Sequence, residues 1–232
     1  MRRHDLAYLY PTANYQLLSP MRSPAAHAAL QRWLQARQPL VVARQPAAAG
    51  AQILLGLTLP PGTEPRRISV SVNPDAICAI ASPLTLAHCV NTCTAAVAEP
   101  LKRLLQQCES HDIVVSVYGS LAWEMLSGTT YRHSGSDIDL VCDIARTPQL
   151  APCIEALQQA QQALPCSLDG EIRFAGGAAA NWKELAQALS QPTQPTQPTQ
   201  QATRVIVKKN TDVALLSLTE LLSHLKEHDH VC

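Results

Sequence analysis

The chain reads as an α+β protein in two parts: a small N-terminal α+β module, then a domain whose mixed sheet is flanked by helices. Three observations predict this. Short strand candidates separated by Pro- and Gly-bearing turns crowd roughly the first 90 residues. From about residue 92 onward, segments with helical spacing alternate with β-branched runs. A composition of 47% hydrophobic residues with 4% aromatics, rich in alanine, suits helices packed through small side chains.

In the N-terminal part, residues 1–92, the strand candidates are Leu40 to Ala43, Ile53 to Leu59 and Ile68 to Val72. Arg66 and Arg67 directly precede the last of these and read as solvated edge charges. Asn91 to Gln107 then places Ala95, Leu101, Leu104 and Leu105 at helical spacing, which sets a domain boundary near residue 92 and leaves 93–232 as the second domain. Ile113 to Tyr118 is a β-branched run that ends in an aromatic and is bounded by polar residues and Gly119, hence a buried strand. A helix is expected from Pro148 to Leu164, with the proline near its first turn. A strand follows at Leu168 to Phe174, then a Gly176-Gly177 turn and a helix from Ala179 to Leu189. Within that helix Trp182 is a core residue by default, with base stacking as the alternative. Gln191 to Gln201 is a Q-P-T repeat whose composition cannot form a packed core, so it reads as a disordered insertion. Arg204 to Lys209 resumes as a strand, and Leu215 to Leu225 closes the chain as an amphipathic helix.

At 232 residues and a formal net charge of zero, the chain can bury a full core. Neutral balance argues against a nucleic-acid partner held through backbone charge. A local pair such as Arg66-Arg67 or Lys208-Lys209 could still serve a small polyphosphate. No stretch reaches the roughly 18 apolar residues that a membrane span needs, and Met1 to Asp5 leads into no uninterrupted apolar core, so the expected location is cytoplasmic. The eight cysteines include no C-x-x-C and read as small buried hydrophobes in a reducing compartment. His88, Cys89 and Cys93, and the tail residues His228, His230 and Cys232, lack the paired spacing of structural zinc sites.

The chemistry concentrates between residues 114 and 143. Gly119 has no Cβ to block a phosphate, and Ser120 stands where a helix begins, so N–H groups, the positive end of the dipole and a hydroxyl face an incoming anion. Alone, Gly-Ser is also an ordinary turn with an N-cap. In Ser136-Asp137-Ile138-Asp139, however, the strand period of two puts Asp137 and Asp139 on one face, about 7 Å apart at Cα. Two like charges so placed call for a cation, and Mg²⁺ is bound by such carboxylates together with substrate phosphates. A D-x-D by itself is also a common solvated edge, but the Gly-Ser turn ahead of it favours a site. Two-metal phosphoryl chemistry needs a third carboxylate. Asp169 and Glu171 lie on one strand face with Arg173, and the residues favour Asp169 for the chemistry, with Glu171 as the alternative metal ligand. Asp169-Gly170 is equally a hairpin-turn signal. Lys208 is either a triphosphate ligand or an edge-strand lysine.

Gly119-Ser120 with Ser136-Asp137-Ile138-Asp139 resembles the nucleotidyltransferase superfamily that includes DNA polymerase β, which implies a polymerase-β-like second domain. Arg3-His4-Asp5-Leu6, Val117 to Trp123, Ser136 to Leu140, Leu168 to Ile172 and Val205 to Lys208 together resemble a narrower family, the malonate decarboxylase holo-acyl-carrier-protein synthases, or phosphoribosyl-dephospho-CoA transferases. The Q-P-T insertion departs from that family's pattern. The resemblance implies transfer of 2′-(5″-triphosphoribosyl)-3′-dephospho-CoA to a serine of the apo acyl carrier subunit of malonate decarboxylase, with release of pyrophosphate. Mg²⁺ would sit at Asp137 and Asp139, and Gly119, Ser120, Ser136 and Lys208 would contact substrate. A different Mg²⁺-dependent nucleotidyltransferase, for instance one moving AMP, shares the same two-aspartate site. A non-catalytic binding partner with a decayed site is disfavoured by intact Gly119, Ser120, Asp137 and Asp139.

Overall fold

The computed structural model describes residues 1–18, 24–62, 66–133, 135–190 and 203–226. In chain order the elements are β1 (Leu6–Leu9), β2 (Tyr15–Leu17), α1 (Pro24–Gln35), β3 (Leu40–Val42), β4 (Ile53–Thr58), β5 (Arg67–Val72) and β6 (Ile77–Ala81). They continue with β7 (Leu84–Thr85), α2 (Leu86–Cys89), α3 (Ala95–Glu109), β8 (Val114–Tyr118), α4 (Gly119–Ser127), β9 (Ile138–Ile144) and α5 (Leu150–Ala163). The last are β10 (Leu168–Phe174), β11 (Ala179–Asn181), α6 (Trp182–Ser190), β12 (Arg204–Lys208), β13 (Val213–Ser217) and α7 (Leu218–Lys226). The Q-P-T insertion and the tail His228, His230 and Cys232 lie outside the described residues.

The chain divides into two compact units: Met1–Pro83 with Ser120–Arg132 and Asn210–Asp212, and Leu84–Gly119 with His133–Lys209 and Val213–Cys232. The main junction in the chain thus falls at Pro83/Leu84, ahead of the expected boundary near residue 92. The second unit also gives up the α4 segment to the first, which no reading of contiguous sequence anticipates.

The first unit carries a six-stranded sheet in the order β2-β5-β4-β3-β1-β6. Its pairings are antiparallel. In β5 the alternation works as expected: Ile68, Val70 and Val72 are buried while Arg67 and Ser69 face solvent. Arg67 is exposed as expected: it pairs with Thr58 of β4, while the register with β2 covers only Val70 to Val72. Ala26, Ala29 and Leu30 of α1 join the buried cluster of Leu40, Val42, Leu55 and Leu57. Trp123 and Tyr131 belong to the same cluster. Tyr131 donates its hydroxyl to the Thr58 carbonyl at 2.9 Å, so its polar end is satisfied in the core. Glu124 of α4 accepts from the backbone N–H groups of Tyr131 and Arg132 and pairs with the Arg132 side chain. Burial works against its charge, but the hydrogen bonds from Arg132 and Tyr131 outweigh that and hold the carboxyl below its ordinary range.

The second unit is built on a seven-stranded mixed sheet, β13-β12-β11-β10-β9-β8-β7. β9 and β10 run parallel, and the remaining neighbours are antiparallel. One face is apolar: Val115 and Val117 of β8, Leu140 and Cys142 of β9, and Leu168 and Ile172 of β10 are buried. Against it pack α3 and α5, which also pack on each other and contribute Leu101, Leu104, Ile154 and Leu157. Cys108, Cys142 and Cys153 are at most 1% exposed, in line with cysteines used as small hydrophobes. The opposite face carries the polar residues of the same strands, and it is the one that matters for function. Among the described residues, no helix is long and apolar enough to cross a membrane.

Two expected helices begin later than their sequence patterns suggest. Ala179–Asn181 is a strand that pairs with β10 and β12, and the helix starts only at Trp182. Val213–Ser217 is likewise a strand, held to β12 at five register positions, so the expected helix from Leu215 starts only at Leu218. Pairing partners outside the local window won in both cases. A local signal for the second start existed. Ser217 and Glu220 form a reciprocal capping box, with Ser217 N–H donating to Glu220 at 2.7 Å and Glu220 N–H to the Ser217 hydroxyl at 3.3 Å. The backbone bond from Ser217, then that from its hydroxyl, lowers the Glu220 carboxyl. Asp169-Gly170 is not a hairpin turn, since both residues lie inside β10.

Candidate active site

The site is assembled by register on the polar face of the second sheet. Tyr118 at the end of β8 is opposite Asp139 of β9, and Asp139 is opposite Asp169 of β10. Residues at matched register point to the same face, so Asp139 and Asp169 stand side by side on neighbouring strands. Both are half-buried. Asp137 precedes β9 and is exposed.

Gly119 explains how this row closes. Its φ is +67°, and a Cβ built on it would overlap the Asp139 carboxylate, coming within 2.7 Å of Cγ. The space that sequence reasoning reserved for a phosphate at Gly119 is therefore filled, on this side, by the carboxylate of Asp139. Ser120 follows directly in the first turn of α4 and is half-buried. Gly170 plays a similar part between the strands: a Cβ there would collide with the Leu140 carbonyl and lie 3.2 Å from its carbon. Glycine thus permits the close β9–β10 approach that brings Asp139 and Asp169 together.

Three polar pairs lie along the same strand face, one on Asp169 itself, one two residues further along β10 and one four residues further. Asn181 donates its amide N–H to Asp169 Oδ1 at 2.9 Å. Lys208 Nζ donates to Glu171 Oε1 at 2.8 Å, with the Glu171 side chain 4% exposed and that of Lys208 37%. Arg173, 3% exposed, makes a two-pronged pair with Asp143 at 2.6 and 2.7 Å. Glu171, expected as the alternative metal ligand, pairs in a buried place with the ammonium group of Lys208. Lys208 is not an edge-strand lysine, because β12 lies between β11 and β13. Ser136 ties the entry to β9: its hydroxyl accepts from His133 N–H at 3.0 Å, and its N–H donates to the His133 carbonyl at 2.9 Å. Trp182 is core, 4% exposed with its indole N–H toward the Leu168 carbonyl at 3.3 Å, and offers no face to a base.

Among the described residues, no group of three or more His, Cys, Asp and Glu side chains is arranged to hold a metal ion. Two carboxylates are nevertheless enough for Mg²⁺ when substrate phosphates supply further oxygens. The adjacent Asp139 and Asp169, with a glycine cleared over one of them, fit that mode of binding. Sequence reasoning missed Asn181, the Glu171–Lys208 pair and the Arg173–Asp143 pair. Strand alternation had placed Glu171 and Arg173 on the site face, but their partners come from β12 and β9, and no spacing rule reveals them.

The chain matches the family models described as the phosphoribosyl-dephospho-CoA transferase MdcG N-terminal domain, over residues 2–83, and C-terminal domain, over residues 85–219. A protein of Xanthomonas axonopodis pv. citri named phosphoribosyl-dephospho-CoA transferase is 33% identical over 215 residues, covering 92% of this chain and 93% of that protein. A protein of the same name from Bradyrhizobium diazoefficiens is 30% identical over 189 residues, covering 82% and 84%. A third, from Pseudomonas fluorescens, is 31% identical over 180 residues, covering 76% and 80%. No solved structure matches the chain.

Proposed function

The chain belongs to the phosphoribosyl-dephospho-CoA transferase family, and from that premise we propose that it moves the phosphoribosyl-dephospho-CoA group of 2′-(5″-triphosphoribosyl)-3′-dephospho-CoA onto a serine of the apo acyl carrier subunit of malonate decarboxylase. The oxygen of that serine bonds to the α-phosphorus, the bond from phosphorus to the outer diphosphate breaks, and pyrophosphate leaves. The register match of Asp139 with Asp169 beside Gly119 is the observation that carries this reading.

Each residue then has a task. Asp169 keeps Oδ1 on Asn181, which leaves Oδ2 to take the proton of the attacking hydroxyl. N–H groups of the first turn of α4, at Gly119 and Ser120, bind phosphate oxygens through the positive end of the helix. Lys208 has N–H groups beyond the one given to Glu171, and its part-exposed ammonium group offsets the charge of the leaving diphosphate. Ser136 holds the loop that delivers Asp137 and Asp139. Mg²⁺ would be held by Asp139 and Asp169, with Asp137 beside them, and would supply charge neutralisation at the transferring phosphoryl group. Most of the acceleration in such a site comes from positioning and fixed charge. The reaction belongs in the cytoplasm, with neither nucleic acid nor membrane as partner.

The test is to incubate the protein with Mg²⁺, the triphosphoribosyl precursor and apo carrier subunit, and to weigh the carrier by intact mass spectrometry. A gain equal to the phosphoribosyl-dephospho-CoA group, lost in folded Asp139→Asn and Asp137→Ala, is expected. No gain from that precursor, with label transferred from ATP instead, would replace the substrate while keeping the chemistry.

A further inference from the structure

We propose that Asn181 is a positioning residue for the transfer, locking Asp169 into its working orientation by the same amide group that starts helix α6. This inference rests on the reading that Asp169 belongs to the active site.

The amide is used at both ends. Asn181 Nδ2 donates to Asp169 Oδ1 at 2.9 Å. Its Oδ1 accepts from Lys183 N–H at 2.9 Å and Glu184 N–H at 3.4 Å, the pattern of an N-cap residue. The chemistry of these partners fixes which way the amide points, because two backbone donors require the oxygen and a carboxylate requires the nitrogen. Asn181 cannot turn without losing both sets of bonds. The backbone holds it too: Asn181 is opposite Glu171 across β10–β11, one step diagonally from Asp169, and ends β11 where α6 begins. The helix start thus serves as a fixed post against which one carboxylate oxygen is tied. The other oxygen is left for the reacting groups. Groups that orient a reacting carboxylate in this way commonly matter by roughly 10–100-fold in activity.

Substitutions separate the two uses of the amide. Asn181→Asp and Asn181→Ser keep a side-chain oxygen to cap α6, but neither offers an amide N–H to Asp169. The measurements are thermal stability, and kcat and KM for the triphosphoribosyl precursor, on the full chain, with Asp169→Ala in the same series. The proposal expects both Asn181 variants to melt close to wild type while kcat falls about 10–100-fold, with KM changed less than about threefold. Wild-type kcat in a folded Asn181→Ser or Asn181→Asp, alongside an inactive Asp169→Ala, would confine Asn181 to capping and overturn the inference. A fully active Asp169→Ala would remove the site reading itself, and the inference with it. Should Asn181→Asp fold poorly because it adds charge beside Asp169, Asn181→Ser decides between the outcomes.

Discussion

Replacing Gly119 by alanine puts a single methyl group where the Asp139 carboxylate now lies. Two costs follow. A residue with a Cβ held at φ +67° loses about 1–2 kcal/mol. The new carbon would also approach Asp139 Cγ to 2.7 Å, so the carboxylate must swing off its preferred rotamer by about an ångström, at about 0.5–1.5 kcal/mol. Together these give about 2.5 kcal/mol at the centre of the range, or roughly 5–10 °C in Tm for a chain of this size. The effect on rate is larger than the effect on stability, since a misplacement of about 1 Å at a reacting group can cost on the order of 100-fold. Chemical melts and carrier-mass kinetics on Gly119→Ala, Asp139→Ala and the double variant measure both. Because the Asp139→Ala change leaves no carboxylate to displace, the double variant is expected to be about 1 kcal/mol more stable than the sum of the single changes. Simple additivity, or a Gly119→Ala protein with wild-type kcat, would refute the argument that glycine is there to admit Asp139.

Other expectations concern the polar pairs. Asp143→Ala removes two charge-assisted bonds from Arg173, 3% exposed, and should cost about 3 kcal/mol in a urea melt; a loss under about 1 kcal/mol would mean that water or another group takes over. The Glu124 carboxyl is held below its ordinary value in the folded protein, so its stabilisation is fully present above the unfolded value, near 4.5, and is lost as pH falls through the lower folded value. Accordingly, Glu124→Gln should be less stable than wild type at about pH 7, and the two melting curves should converge as pH drops below about 4. A stability gap that stays constant from about pH 7 to about pH 3 would show that the carboxylate charge does not contribute.

Much of the candidate site was legible in local pattern. Strand alternation is a backbone property, so Ile138 and Leu140 had to turn one way and Asp139 the other, and Leu168–Phe174 reads as a strand with the same bounds that the structure has. Helix starts were less legible where strand pairing competes with helical spacing, as at Ala179–Asn181 and Val213–Ser217. The Ser217 and Glu220 capping box was present in the letters, and weighing it would have placed the start of α7 correctly. Helix α1 was missed, and its short apolar face of Ala26, Ala29 and Leu30 explains why: two alanines contribute little to a periodic signal.

Local pattern was enough for the chemical type of each candidate site group and for the strand faces that carry Asp139, Asp169 and Glu171. Those follow from side-chain identity and from a backbone period of two, both local. Tertiary structure alone decided which carboxylate neighbours which. Asp139 is opposite Asp169 because β9 and β10 are parallel and in that register, and Glu171 pairs with Lys208 because β12 brings that lysine to it. Only the fold could also show that Gly119 makes room for Asp139 and that Asn181 holds Asp169. Such contacts join residues from strands that meet only after the sheet has formed, and no local rule encodes the distance between them.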